Sequence, residues 1–360
     1  MFRILLVSLL GAYFLASVTP LLAAEVDDLK RDLEGIQNRL EVLEAEDEQT
    51  TQALADLMEI AGYGDVEYKI TDQKGKNNEF RVHHLSLFFI KRIGDRWRMF
   101  SEIEYEDGPN TAKDEGKIFV EVFTLEYYLN QYLNFRLGRF LTPAGIWNVD
   151  HYPPFVLTQE RPQHIRKIFP QLNDGLQLLG STHVSNVNTD YILYVSNGQG
   201  NTGHGDGNED KALGARLKFG LPFLSQAEVG TSYYREEQND KTDFKAAGAD
   251  LFLSWRNVRL QAEYAKGFFD PSPGKGDQRI GYYGQLEYDL KNWTLGYRYD
   301  WYDPSTETDN DRKTINTLAL NYHFTPYVVG KVEHHFEDPQ DKAKDSYNLT
   351  ILSIAIYLGK

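Results

Sequence analysis

Within residues 141–172, Arg161, His164, Arg166 and Lys167 fall close together, with Glu160 beside them and Asp150 a little upstream. Gathered in one narrow place, such side chains would replace part of a small anion's hydration and raise its local concentration. The planar fork of Arg suits phosphate, sulfate or carboxylate. The plainer alternative is that Glu160 and Arg161 pin this stretch to a neighbouring wall through ion pairs. His83-His84 and His334-His335 are adjacent pairs in strand-like segments, so the two rings of each pair are expected on opposite faces, where they cannot share a metal. The Gly- and Asp-rich stretch 197–210 lacks the ligand spacing of a calcium loop and reads as a solvated surface loop. The sequence carries no nucleophile-elbow, zinc-binding or phosphate-loop motif, and no cysteine. Neither catalysis nor a cofactor or metal is expected.

The elements that must position these residues read as strands. Apolar and polar residues alternate with period two in sixteen segments, near 62–71, 79–93, 95–106, 116–129, 131–140, 173–184, 187–197, 211–220, 225–236, 244–256, 258–267, 279–290, 292–302, 313–324, 327–337 and 346–359. Most have the ten or so residues that a tilted strand needs to cross a bilayer. Tight links at Gly94-Asp95, Asn130-Gln131, Ser185-Asn186, 221–224, Asn257, Lys291-Asn292 and Thr325-Pro326 alternate with longer polar ones at 72–78, 107–115, 141–172, 198–210, 237–243, 268–278, 303–312 and 338–345. A water-soluble sandwich or propeller, the alternative, has no reason to sort its links by parity. An outer-membrane barrel does, with short turns in the periplasm and long loops outside.

In that setting the apolar parity faces lipid and the polar parity faces water. Trp293, Leu295, Tyr297, Tyr299 and Trp301 alternate with Asn292, Thr294, Gly296, Arg298 and Asp300. By the same rule Arg98, Glu102, Arg136, Arg216, Lys218, Arg259, Glu263 and Arg298 are expected to line the lumen, together with Glu104 and Glu287. Trp97, Trp147, Trp293 and Trp301, with many of the 23 tyrosines, suit interfacial girdles. A lumen of sixteen strands is too wide to be filled by wall side chains, so a water-filled channel is expected. A stretch of 32 residues with apolar residues throughout, 141–172, is expected to fold into that lumen and narrow it.

Three stretches add a resemblance: Arg96–Glu106, Leu125–Leu129, and Leu133–Gly145, with Gly138-Arg139-Phe140 and Pro143 preceding the long loop and Thr158–Arg161 inside it. Together they resemble the phosphate-selective porin O and P family and related trimeric outer-membrane porins. The resemblance implies a homotrimeric sixteen-stranded porin whose third long loop narrows the pore, often with basic residues that draw in anions. Phosphate-selective members line the path with many cations. Here Glu102, Glu104, Glu263 and Glu287 are interleaved with the arginines, and the chain ends Tyr357-Leu-Gly-Lys360 rather than on an aromatic residue.

Upstream of the strands two segments differ in kind. Arg3, the apolar run Ile4–Val18 and Leu22-Ala23-Ala24 have the layout of a secretory signal peptide over 1–24, the alternative being an uncleaved anchor. Residues 25–60 space Val26, Leu29, Leu33, Ile36, Leu40, Leu43, Leu54 and Leu57, then Ala61 just beyond, at threes and fours, with the polar Asp47 and Thr50 at the two seam positions between Leu43 and Leu54, as a self-associating coiled coil does. A lone amphipathic helix is the alternative. Of the formal charge of −15, −9 lies in 25–60 and Arg3 contributes +1, leaving −7 for 61–360. An acidic chain of this kind is not built for nucleic acid. The expected whole is an all-β transmembrane barrel of about sixteen antiparallel strands in the outer membrane, with a helical coil in the periplasm. It would pass small hydrophilic solutes, with a preference for phosphate or small carboxylates. The other reading is a barrel that anchors the coil as a cell-envelope tether; an outer-membrane enzyme ranks third.

Overall fold

The computed structural model describes residue 39 and residues 58–359, apart from 107–115, 166, 199–205, 223–225, 272 and 342–344. The signal peptide expected over 1–24 and almost all of the coil expected over 25–60 lie outside the described residues. The sheet begins at Glu59, so Ala61, the last apolar seam position, belongs to a strand.

Sixteen strands follow in chain order: β1 (Glu59–Thr71), β2 (Glu79–Ile93), β3 (Trp97–Glu106), β4 (Lys117–Tyr128), β5 (Asn134–Leu141), β6 (Leu172–Val184), β7 (Val187–Ser196), β8 (Ala212–Gly220), β9 (Gln226–Glu237), β10 (Asp243–Trp255), β11 (Val258–Asp270), β12 (Asp277–Leu290), β13 (Trp293–Asp303), β14 (Lys313–Thr325), β15 (Val328–Pro339) and β16 (Tyr347–Tyr357). Each pairs antiparallel with its neighbours in sequence, and β1 closes on β16 with Tyr63 opposite Tyr357. Closure removes both sheet edges, which is what lets a sheet sit in hydrocarbon with every backbone group satisfied.

Side-chain parity sorts the two faces. On β13, Leu295 and Tyr297 are exposed to the outside while Thr294, Arg298 and Asp300 are buried inside. The same inversion holds on β15, where Val332 faces out between Lys331 and Glu333, and on β16, where Leu352 and Ile354 flank Ser353. Trp301 stacks on Tyr282, with ring centroids 5.1 Å apart, on the outer face. Trp147 departs from the girdle expectation. It lies in the 142–171 segment, is 1% exposed, and has the Arg298 guanidinium 5.6 Å from its ring centroid.

Three bulges interrupt the parity, and two of them bear on the interior. Asp65 pairs with His84 and Val66 with Val82, so His83 is an extra residue on β2. Both imidazoles therefore point inward, 3.6 Å apart between centroids, which corrects the expectation that adjacent histidines must face opposite sides. Glu102 pairs with Val122 and Ile103 with Val120, so Glu121 is the extra residue on β4 and is buried inside together with Val122. His334 and His335 have no bulge between them and do face opposite sides: His334 packs on Phe336, and His335 is buried against Thr317.

At Gly138 the backbone φ is +128°, and a Cβ there would lie 2.1 Å from the Phe123 carbonyl oxygen, so only glycine lets β5 pair with β4.

A charge on the outer face tests the assignment of lipid and water. Leu217→Arg near the middle of β8 should lower the free energy of unfolding in lipid vesicles by about 2–4 kcal/mol. Gln238→Arg, in the β9–β10 turn, should change it by no more than about 0.5 kcal/mol in the same urea titration.

Candidate pore constriction

The segment between β5 and β6 turns into the barrel. Its ends are zipped by the Thr142 N–H donating to the Gln171 carbonyl (2.8 Å), and Asn148 Nδ2 donates to the Thr142 carbonyl (2.7 Å). From there it travels along the inner wall. Trp147 N–H donates to Glu263 Oε1 on β11 (2.9 Å), Asn321 Nδ2 on β14 to the Leu157 carbonyl (3.0 Å), and Lys331 Nζ on β15 to the Val156 carbonyl (2.6 Å). Gln159 N–H donates to Glu333 Oε2 on β15 (2.8 Å), and Gln159 Nε2 donates to Ser353 Oγ on β16 (2.8 Å). Next door, Lys69 Nζ on β1 meets Glu160 Oε1 at 2.6 Å.

Apolar side chains supply the rest of the hold. Ile168 and Phe169 join a core with Phe140, Tyr194, Tyr234 and Phe244, and Tyr152 packs between Tyr63 and Phe88. Gly145 has φ of +66°, and a Cβ there would strike the Glu263 carboxylate, so the loop presses on the wall at that point.

Arg298 is the central tie. It is 1% exposed and donates from Nε to Asp300 (2.8 Å), from Nη1 to Thr158 Oγ1 (2.5 Å) and from Nη2 to the Glu160 carbonyl (2.9 Å). It was expected at the lumen surface; instead the loop covers it. Glu263 is covered in the same way, and Arg216 is fixed bidentately to Asp250 at 2.8 and 2.9 Å. Glu102 is fully buried. Half-exposed wall cations each have a carboxylate. Arg98 and Arg136 share Glu126, Arg259 meets Glu287 and Asp289, and Lys218 meets Asp190 and Glu228.

The loop's own cluster is dispersed. His164 is buried, 3% exposed, and stacks on Tyr283; desolvation, reinforced by the charges of Lys167 and Arg298, pushes its imidazole down to about 3. It is neutral at pH 7 and offers no charge to an anion, which corrects its place in the basic cluster. Lys167 donates to Gln163 Oε1 (3.0 Å) and lies 4.8 Å over the Tyr302 ring. Arg161 is directed towards the β1–β4 side, where its charge acts on Glu121 and His84. Asp150 is exposed, Glu160 is clasped by Lys69, and Arg166 lies outside the described residues. Glu160 thus follows the pinning alternative. Lys69, Asn321, Lys331, Glu333 and Ser353 escaped the sequence reading of the loop, because inward parity marks them as polar but does not say what they hold.

The closed barrel is matched by comparison. The sequence profile of Gram-negative porins covers residues 62–334. The chain belongs to the Gram-negative porin family. Members of that family are channels of the outer membrane. The porin is 28% identical over 205 residues, 54% of its length, to an uncharacterized protein of Aquifex aeolicus (strain VF5), and spans 44% of that relative. It is similar in fold to an anion-selective porin from Comamonas acidovorans, with a TM-score of 0.62 and 12% identity over 84% of this chain and 99% of the other. It is similar also to the trimer form of OmpT, an outer membrane protein of Vibrio cholerae, with a TM-score of 0.55 and 14% identity over 84% and 100%.

Two outcomes follow for the porin's loop. Arg298→Met should free Thr158 and the Glu160 carbonyl, seen as larger and noisier single-channel conductance and faster proteolytic nicking within 142–171. His164 has a folded-state pKa below its unfolded value of ~6.5, so the unfolded state binds more protons between about pH 6.5 and 3, and stability falls as pH drops through that window. Between pH 7.5 and 4.5 the wild type should lose about 2–3 kcal/mol more than His164→Phe in urea unfolding.

Proposed function

We propose that this porin is a homotrimeric diffusion channel for small hydrophilic solutes, narrowed by its 142–171 segment and leaning weakly towards cations. The observation that carries this reading is the placement of that segment inside the barrel, tied to wall residues from β1 round to β16, with Arg161, Glu160 and Asp150 on it and Arg98, Arg136, Lys218 and Arg259 on the wall. A loop held at so many points keeps its position without a partner or a lid, which suits passive passage. The trimer form of OmpT supports self-association as the working state.

The expected preference for phosphate or small carboxylates finds little to rest on. Selectivity for anions needs cations whose charge is not already spent on a neighbour. Each of the named wall arginines and Lys218 has a carboxylate within ion-pair distance, and His164 is neutral. On the β1–β4 side the inner wall carries Asp65, Glu67, Glu102, Glu104, Glu106 and Glu121, a local excess of carboxylate over the cations Lys69, Arg81 and Arg161.

Planar-bilayer recording decides it. The purified porin in a potassium chloride gradient should give steady conductance and a small reversal potential of cation-selective sign. A reversal potential of anion-selective sign, or the absence of conductance, would overturn the reading.

A further inference from the structure

The bulges on β2 and β4 deliver their extra residues to one patch of the inner wall. His83 and His84 come from β2, Glu121 from β4, and Asp65, Glu102, Glu104 and Glu106 from the strands beside them. His84 is the hinge of this patch. Its Nδ1 lies 2.9 Å from Asp65 Oδ1, and its Nε2 lies 3.4 Å from Glu104 Oε1 and 3.8 Å from Glu106 Oε1. Asp65, a carboxylate, can only accept, so it fixes the proton on Nδ1 and leaves the Nε2 lone pair aimed at two further carboxylates. Two acceptors facing each other at 3.4 Å repel unless a proton or a metal ion lies between them.

Glu104 makes that need acute. It is 1% exposed, and neither of its oxygens has a hydrogen-bond partner. The charges that act on it most strongly are those of Glu121, Glu102 and Glu106, all carboxylates. A carboxyl buried in such company either keeps its proton or is held by a cation or metal ion. Arg161 and His151 act first on Glu121, on the far side of the patch from the His84 lone pair.

We infer that His84 Nε2, Glu104 and Glu106 form a binding site for one divalent transition-metal ion on the inner wall, with Asp65 orienting the imidazole. Ligands at ~2.0 Å from a tetrahedral ion stand about 3.3 Å from one another, close to the separations here. One imidazole with carboxylates favours zinc-like ions over calcium or magnesium, which take oxygen alone. The Asp65–His84 contact is the usual second partner of a metal-bound imidazole, which fixes its tautomer and raises its basicity. Glu121 and Glu102, whose oxygens lie within 4.8 Å of those of Glu104, hold a reserve of negative charge beside the ion. Glu106, whose side chain is 24% exposed at the long-loop end of β3, gives the ion its way in.

The test uses the full-length porin in detergent, stripped with EDTA, dialysed and titrated with zinc chloride by calorimetry. The wild type should take up one zinc per chain. His84→Gln and Glu104→Gln should each weaken binding at least tenfold, Asp65→Asn should weaken it 10–100-fold, and His183→Ala, at the β6–β7 turn, should leave it unchanged. Heat-shifted migration on gels reports whether each variant still forms a barrel. Should a variant fail to fold, X-ray absorption of the zinc-loaded wild type answers alone: one imidazole among oxygen ligands is expected, and a shell without nitrogen overturns the site. The inference also falls if the wild type takes up no stoichiometric zinc, if folded His84→Gln binds as the wild type does, or if calcium binds as tightly as zinc. None of these readouts depends on conductance.

Discussion

A sheet that is closed in a membrane separates two unlike solvents along its whole length, and every other property of this molecule answers to that separation. Hydrocarbon outside requires apolar side chains and a backbone with no edge; water inside allows charge. Alternating parity satisfies both with one strand. It also concentrates polar groups on a concave surface, where they meet one another across short distances. The interior chemistry of this porin is what results: arginines and lysines that find carboxylates on adjacent strands, and a loop that finds donors and acceptors wherever it touches the wall.

That loop is held by the complement of what the lipid face lacks. Its backbone carbonyls at Val156, Leu157 and Glu160 accept from Lys331, Asn321 and Arg298, and the N–H groups of Trp147, Gln159 and Glu160 donate to Glu263 and Glu333. Buried backbone groups away from regular structure must be paired, and here the wall does the pairing. Charged wall residues thus act as structural partners, each spending its charge on a carboxylate or on the loop.

Much of this was legible beforehand. The sixteen strands lie within three residues of where period-two alternation and the turn residues put them, because each half-buried strand carries the signal in its own sequence. The inward course of 141–172 was legible too, since apolar Ile165, Ile168 and Phe169 could not stay in water. What escaped depends on single residues. A bulge adds one position and leaves the period intact on either side, so nothing in Val82-His83-His84-Leu85 distinguishes two inward rings from one inward and one outward. Trp147 reads as a girdle residue by type and turns out to be covered within the barrel. His164 reads as a cation, and only its stacking on Tyr283 beneath the loop makes it neutral. These outcomes are set by tertiary neighbours that no local window contains.

The clasp made by Gln159 and Glu160 has a topological meaning. These adjacent residues reach Ser353 on the last strand and Lys69 on the first, so a single peptide unit straddles the join where the barrel meets itself. That join pairs residues from opposite ends of the chain and is the latest that synthesis can complete. The inward loop is therefore also a latch on the cylinder: its clasp at Gln159 and Glu160 can form only when the circle is complete, and pulling it loose weakens the join with the greatest chain separation.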